Sequence, residues 1–64
     1  MNTKELLGLK IKELRKRNHL TQEQLAEMLN LDLGYISKLE VGRNFPAIAT
    51  LEKIAKALNV EIHE

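Results

Sequence analysis

Leu7, Ile11 and Leu14 recur at spacings of four and three within the stretch from Thr3 to Arg17, and charged residues crowd the positions from Lys10 on. That spacing lines one face of a helix. Asn2 or Thr3 can cap its start, and Asn18-His19 can end it, with Leu20 turning back toward the core. Gly8 lies inside this helix. A glycine there costs up to about 1 kcal/mol relative to alanine, so its presence points to close packing by another element. Thr21-Gln22-Glu23-Gln24 has the form of a capping box, a threonine N-cap followed three residues later by glutamine. Leu25, Ala26 and Leu29 then supply a buried face, with Met28 at its edge and Asn30 at the end.

After a three-residue turn, Asn30-Leu31-Asp32, comes the stretch Leu33-Gly34-Tyr35-Ile36-Ser37-Lys38-Leu39-Glu40-Val41. At about 100° per residue, Ser37, Val41, Gly34 and Lys38 fall within roughly 140° of Leu33, while Ile36 and Leu39 lie opposite at roughly 300° and 240°. Tyr35 falls on the flank at about 200°. Asp32 suits an N-cap, and Gly42 stands where helices commonly end in the left-handed conformation. This third helix holds on by two or three apolar residues and presents a wide, mixed face. Two short helices joined by so tight a turn form a helix-turn-helix, and the small side chain of Ala26 lets them cross closely.

Arg43-Asn44-Phe45 reads as a loop and Pro46 suits a first helical position. Ile48, Leu51, Ile54, Ala55 and Leu58 continue at helical spacing, with Asn59 as a C-cap. The pattern thus predicts helices over about 3–17, 21–29, 33–41 and 46–58, all within one domain spanning 1–64. Residues 59–64 form a short tail or the start of a fifth helix. Val60–Ile62 is the longest strand-like run, and there is no internal repeat or linker. The class is all-α.

Composition narrows the chemistry. There is no cysteine, and His19 and His63 are too few for a metal centre, so neither a disulfide framework nor a metal or cofactor is expected. No apolar run approaches the ~18 residues of a membrane span and no signal-peptide core opens the chain; the expectation is a soluble, cytoplasmic protein. The net charge of +1 selects no partner, but its distribution is uneven. Residues 1–45 carry eight Lys/Arg against six Asp/Glu, and 46–64 carry two against three. The excess is densest at Lys10, Lys12, Arg15, Lys16 and Arg17, a run that by itself reads as a solvated helix face.

The motifs Ile11-x-x-Leu14-Arg15, Leu20-Thr21-Gln22-x-x-Leu25-Ala26, Tyr35-Ile36-Ser37-x-Leu39-Glu40-x-Gly42, Pro46 and Leu51-x-x-Ile54-Ala55-x-x-Leu58 jointly resemble the Cro/phage-repressor (XRE-type) helix-turn-helix family. The match covers roughly residues 7 to 62. It implies a small bundle of four to five helices of the lambda-repressor-like DNA-binding type, with helices two and three as the reading unit and residues 33–41 in the major groove. Carried over residue by residue, the resemblance implies base contacts from Leu33, Gly34, Ser37, Lys38 and Asn44. It implies phosphate contacts from Gln22 and Arg43, with Tyr35 and Lys10 as further candidates, and an ion pair between Arg15 and Glu40. Lys38 can donate to guanine O6/N7, Ser37 can pair with several bases, and Leu33 can touch a thymine methyl. Gly34 reads little, so specificity is expected to lean on Lys38, Asn44 and DNA shape.

One departure concerns the fourth helix: Ala47 follows the proline where the family often has a serine or threonine cap. Asn44 or the backbone must then satisfy that helix start. The expected function is a sequence-specific regulator of transcription that binds double-stranded DNA as a dimer on a pseudo-palindromic operator, its dimer surface involving the fourth helix and Val60–Ile62. The alternative is a helical module that presents the 33–41 face to a protein. An enzyme is not expected, because the acids are dispersed on helix surfaces and no nucleophile–base pair is apparent.

Overall fold

The computed structural model describes residues 1–59 of the 64. Four helices follow one another: α1 Thr3–Arg17, α2 Gln22–Leu29, α3 Leu33–Glu40 and α4 Ile48–Ala57. The expected tail or fifth helix over 59–64, and the Val60–Ile62 part of the expected dimer surface, lie outside the described residues beyond Asn59.

Two helices start with complete capping boxes. The Asn2 side chain accepts from the Glu5 amide, and Glu5 accepts in return from the Asn2 amide. Thr21 and Gln24 do the same at the head of α2. The other two starts differ from expectation. Asp32 occupies the N-cap of α3, but its carboxylate makes no capping bond. Pro46 is buried in the loop rather than opening α4; the chain stays extended through Ala47 (ψ 156°), which is the N-cap and has no side chain to offer. Asn44 makes no hydrogen bond to that helix start among the described residues.

The helix ends share one device. His19, Asn30, Gly42 and Asn59 all take a left-handed φ, between 56° and 82°. At the end of α3 the Gly42 amide donates to the Leu39 carbonyl and the Arg43 amide to the Lys38 carbonyl, at 3.1 and 2.9 Å. That bond pattern satisfies two terminal carbonyls and turns the chain sharply.

Ile11, Leu25, Ala26, Leu29, Ile36, Leu39, Ile54 and Leu58 form the core, with Leu7, Leu14, Leu20, Leu31 and Tyr35 packed against it. Burying each large aliphatic side chain contributes about 1.5–3 kcal/mol, so Ile36 and Leu39 suffice to dock the short α3. Ile48, assigned to the buried stripe by its spacing, is instead 78% exposed. α4 buries its C-terminal half, through Ile54, Ala55 and Leu58, and its first turn reaches past that contact. α1 comes against α3 at two glycines. A Cβ on Gly8 would collide with the Leu39 carbonyl and lie 2.8 Å from that of Glu40, while Gly42 stands against the backbone of Glu5.

Candidate nucleic-acid interface

α3 divides cleanly. Ile36, Leu39 and Glu40 are buried, whereas Leu33, Gly34 and Lys38 are exposed and Ser37 is half-buried. A Cβ added at Gly34 would meet no atom within 4 Å. Val41 is 63% exposed just past the helix. At Gly34, and at the exposed Leu33 and Lys38, the outer face is therefore open, while Ser37 is tied back to α2.

Behind that face lies a buried ion pair. Arg15 Nε donates to Glu40 Oε2 at 2.6 Å and Arg15 Nη2 donates to Glu40 Oε1 at 3.0 Å, a two-pronged fit of guanidinium to carboxylate. Arg15 Nη1 donates to the Leu20 carbonyl at 2.7 Å, so one side chain ties α1, the turn before α2 and the end of α3. Hydrogen bonding to Glu40, opposed by burial and aided by the carboxylate charge, raises the Arg15 pKa above the ordinary arginine value. A raised folded-state value means that the stability Arg15 contributes through its own proton is complete below the arginine range and is lost as pH rises through it, in strongly alkaline solution.

Gln22, expected to reach a phosphate, turns its side chain inward. Its Nε2 donates to Glu40 Oε1 at 3.0 Å and its Oε1 accepts from the Ser37 hydroxyl at 2.9 Å. One amide N–H remains uncommitted, as do the backbone N–H groups of Gln22 and Glu23 at the head of α2, since the capping threonine takes only that of Gln24. These contacts join positions 15 and 18 residues apart, and no local spacing announces them.

The remaining candidates are placed separately. Arg43 is exposed directly after α3 and Asn44 is half-buried in the loop, where its side chain makes no hydrogen bond within the described residues. The Tyr35 ring packs against the core. Lys10 is exposed on α1. Among the described residues the ion pairs are Arg15–Glu40 and the exposed Arg17–Glu13, and within them Lys38, Arg43 and Lys10 meet no acidic partner. The described residues hold no group of three metal-ligating side chains, and none of their helices is long and apolar enough to cross a membrane.

A helix-turn-helix family model, HTH_3, matches residues 11–64. The immunity repressor protein of Bacillus phage phi105 is 43% identical over 56 residues, which is 88% of this chain and 39% of the repressor. This chain thus spans less than half the length of that relative. The control protein C.SmaI of Serratia marcescens is 39% identical over 62 residues, 97% of this chain and 74% of that one. Among solved structures, the biofilm regulator SinR in complex with DNA superposes with a TM-score of 0.81 at 32% identity, covering 86% of this chain and 89% of the SinR chain in that structure.

Proposed function

This chain belongs to the helix-turn-helix family HTH_3, and from that premise we propose that it regulates transcription by reading double-stranded DNA with α3 in the major groove, rather than catalysing a reaction. The observation that carries the proposal is the division of α3, which buries one side and leaves Leu33, Gly34 and Lys38 uncommitted. A groove about 12 Å wide admits one such helix. The phage repressor and the DNA-bound regulator among its relatives support this reading.

In this scheme Lys38 donates to a guanine edge, Leu33 meets a thymine methyl, and Asn44 reaches a base from the following loop. Arg43, the remaining N–H groups of Gln22 and those at the head of α2 bind phosphates, with Tyr35 and Lys10 as outlying contacts. One helix offers too few contacts for tight binding, so two copies bind a pseudo-palindrome with half-sites about one turn, roughly 34 Å, apart. The fourth helix contributes to the dimer contact, where the exposed Ile48 would be covered. The working location is the cytoplasm.

Binding to random-sequence duplex should weaken steeply as salt rises, with the slope of log affinity against log salt reporting the number of phosphates neutralised. Lys38→Ala should relax preference at particular base pairs by about 1–3 kcal/mol, whereas Arg43→Ala should weaken all sequences alike and lower the salt slope by about one. Equal effects from the two variants would contradict these roles. The exposed Leu33 and Val41 favour a second reading, in which this face enters a protein groove. A folded protein that binds no duplex even at low salt would turn the choice to it.

A further inference from the structure

A serine hydroxyl is ordinarily an undiscriminating reader, because it rotates to donate or accept as its partner requires. Ser37 is not free to do so. Its hydroxyl donates to Gln22 Oε1 at 2.9 Å, and the direction of that bond follows from what lies behind it. Arg15 donates to both oxygens of Glu40, and a carboxylate so paired has only acceptors to offer. The Gln22 amide must therefore turn its NH2 group toward Glu40, where Nε2 lies 3.0 Å from Oε1. That orientation leaves the amide oxygen facing Ser37. Opposite a carbonyl oxygen, a hydroxyl can only donate, and it has a single proton to give. What Ser37 Oγ then shows to the outside is lone pairs.

We propose that this relay, Arg15 to Glu40 to Gln22 to Ser37, fixes Ser37 as a hydrogen-bond acceptor in the major groove, so that it selects the exocyclic amino group of cytosine (N4) or adenine (N6). The proposal rests on the DNA-reading role of α3. Major-groove edges of cytosine and adenine carry that amino donor, whereas the matching positions of guanine and thymine carry an oxygen. An oxygen set against the lone pairs of Ser37 is repelled. Lys38, the next residue, offers donors only, so two adjacent residues of α3 present opposite polarity. Gln22 and Glu40 act here as positioning residues, since they decide the sense of a contact they do not make.

The test begins with selection of bound sequences from a random duplex pool by the wild-type chain and by Ser37→Ala. The position whose preference is lost in Ser37→Ala is the one Ser37 reads. At that base pair, duplexes are then prepared with the amino group deleted (purine for adenine, or 2-pyrimidinone for cytosine), and affinities are measured for both proteins. Deleting the amino group should weaken wild type by about three- to tenfold and Ser37→Ala by much less. Gln22→Met, which keeps the side-chain length but releases the serine hydroxyl, should accept the reversed base pair at that position nearly as well as the original. Circular dichroism establishes that each variant is folded, and if Gln22→Met is not, the comparison of wild type with Ser37→Ala decides alone. An equal loss for wild type and Ser37→Ala overturns the proposal, as does a folded Gln22→Met that keeps full discrimination. A wild-type chain that enriches no sequence overturns the reading of α3 itself, an outcome distinct from either of these.

Discussion

Glu40→Ala is expected to cost about 3–5 kcal/mol of folding stability, the loss found when one member of a buried ion pair is removed. The Glu40 side chain is 1% exposed and that of Arg15 is 9% exposed, so the orphaned guanidinium would stay largely out of water. Gln22 would add to the loss, because its Nε2 donates to the same carboxylate and would be left without that acceptor. A domain of this size holds about 3–10 kcal/mol in all, at roughly 0.05–0.15 per residue. At about 4–8 °C per kcal/mol, the melting temperature should fall by tens of degrees. Arg15→Met combined with Glu40→Leu should recover most of the loss, since apolar replacement of both partners removes the desolvation cost together with the attraction. Urea unfolding followed by circular dichroism measures all three proteins. A single-variant cost below about 1 kcal/mol, the worth of an exposed pair, would show that water reaches the site.

Gly8→Ala is expected to destabilise the chain by roughly 1–3 kcal/mol, although alanine in an unobstructed helix would gain up to about 1 kcal/mol. The sign is decided by what the methyl group meets. It would strike the Leu39 carbonyl and approach the Glu40 carbonyl carbon at 3.0 Å. These are backbone atoms, which cannot swing aside as a side-chain tip can, so α1 must move off α3. That shift also disturbs the 2.6 Å bond from Arg15 to Glu40. The costs of Gly8→Ala and Glu40→Ala should therefore fall short of additive, because the first already loosens what the second removes. The same urea titrations report this; a more stable Gly8→Ala protein would mean that α1 yields without strain.

Four helices were legible because each repeats its apolar residues at helical spacing, and a recognisable cap, Thr21 with Gln24, marks the start of α2. Gly8 was legible too, since a glycine in mid-helix has few explanations besides close packing. Periodicity names the face a residue shares, however, and not the atom it touches. Ile48 shares the stripe of Leu51 and Ala55, yet the stripe is covered only along the second half of α4. Pro46 illustrates a different gap: the loop's path buries it before the helix begins, and local preference carries no information about that path. The inward turn of Gln22 arises from the crossing of α2 over α3, which brings together Ser37 and Glu40 from positions 15 and 18 residues away.

The open surroundings of Gly34, together with the exposure of Leu33 and Lys38, have an evolutionary consequence. None of these three positions belongs to the buried core or to the Arg15–Glu40 pair, so descendants can drift to new targets without passing through unfolded intermediates. Ser37 is the exception on this face: its bond to Gln22 leads back to the buried pair. Divergence should accordingly be rapid at 33, 34 and 38, while 37 changes in step with 22.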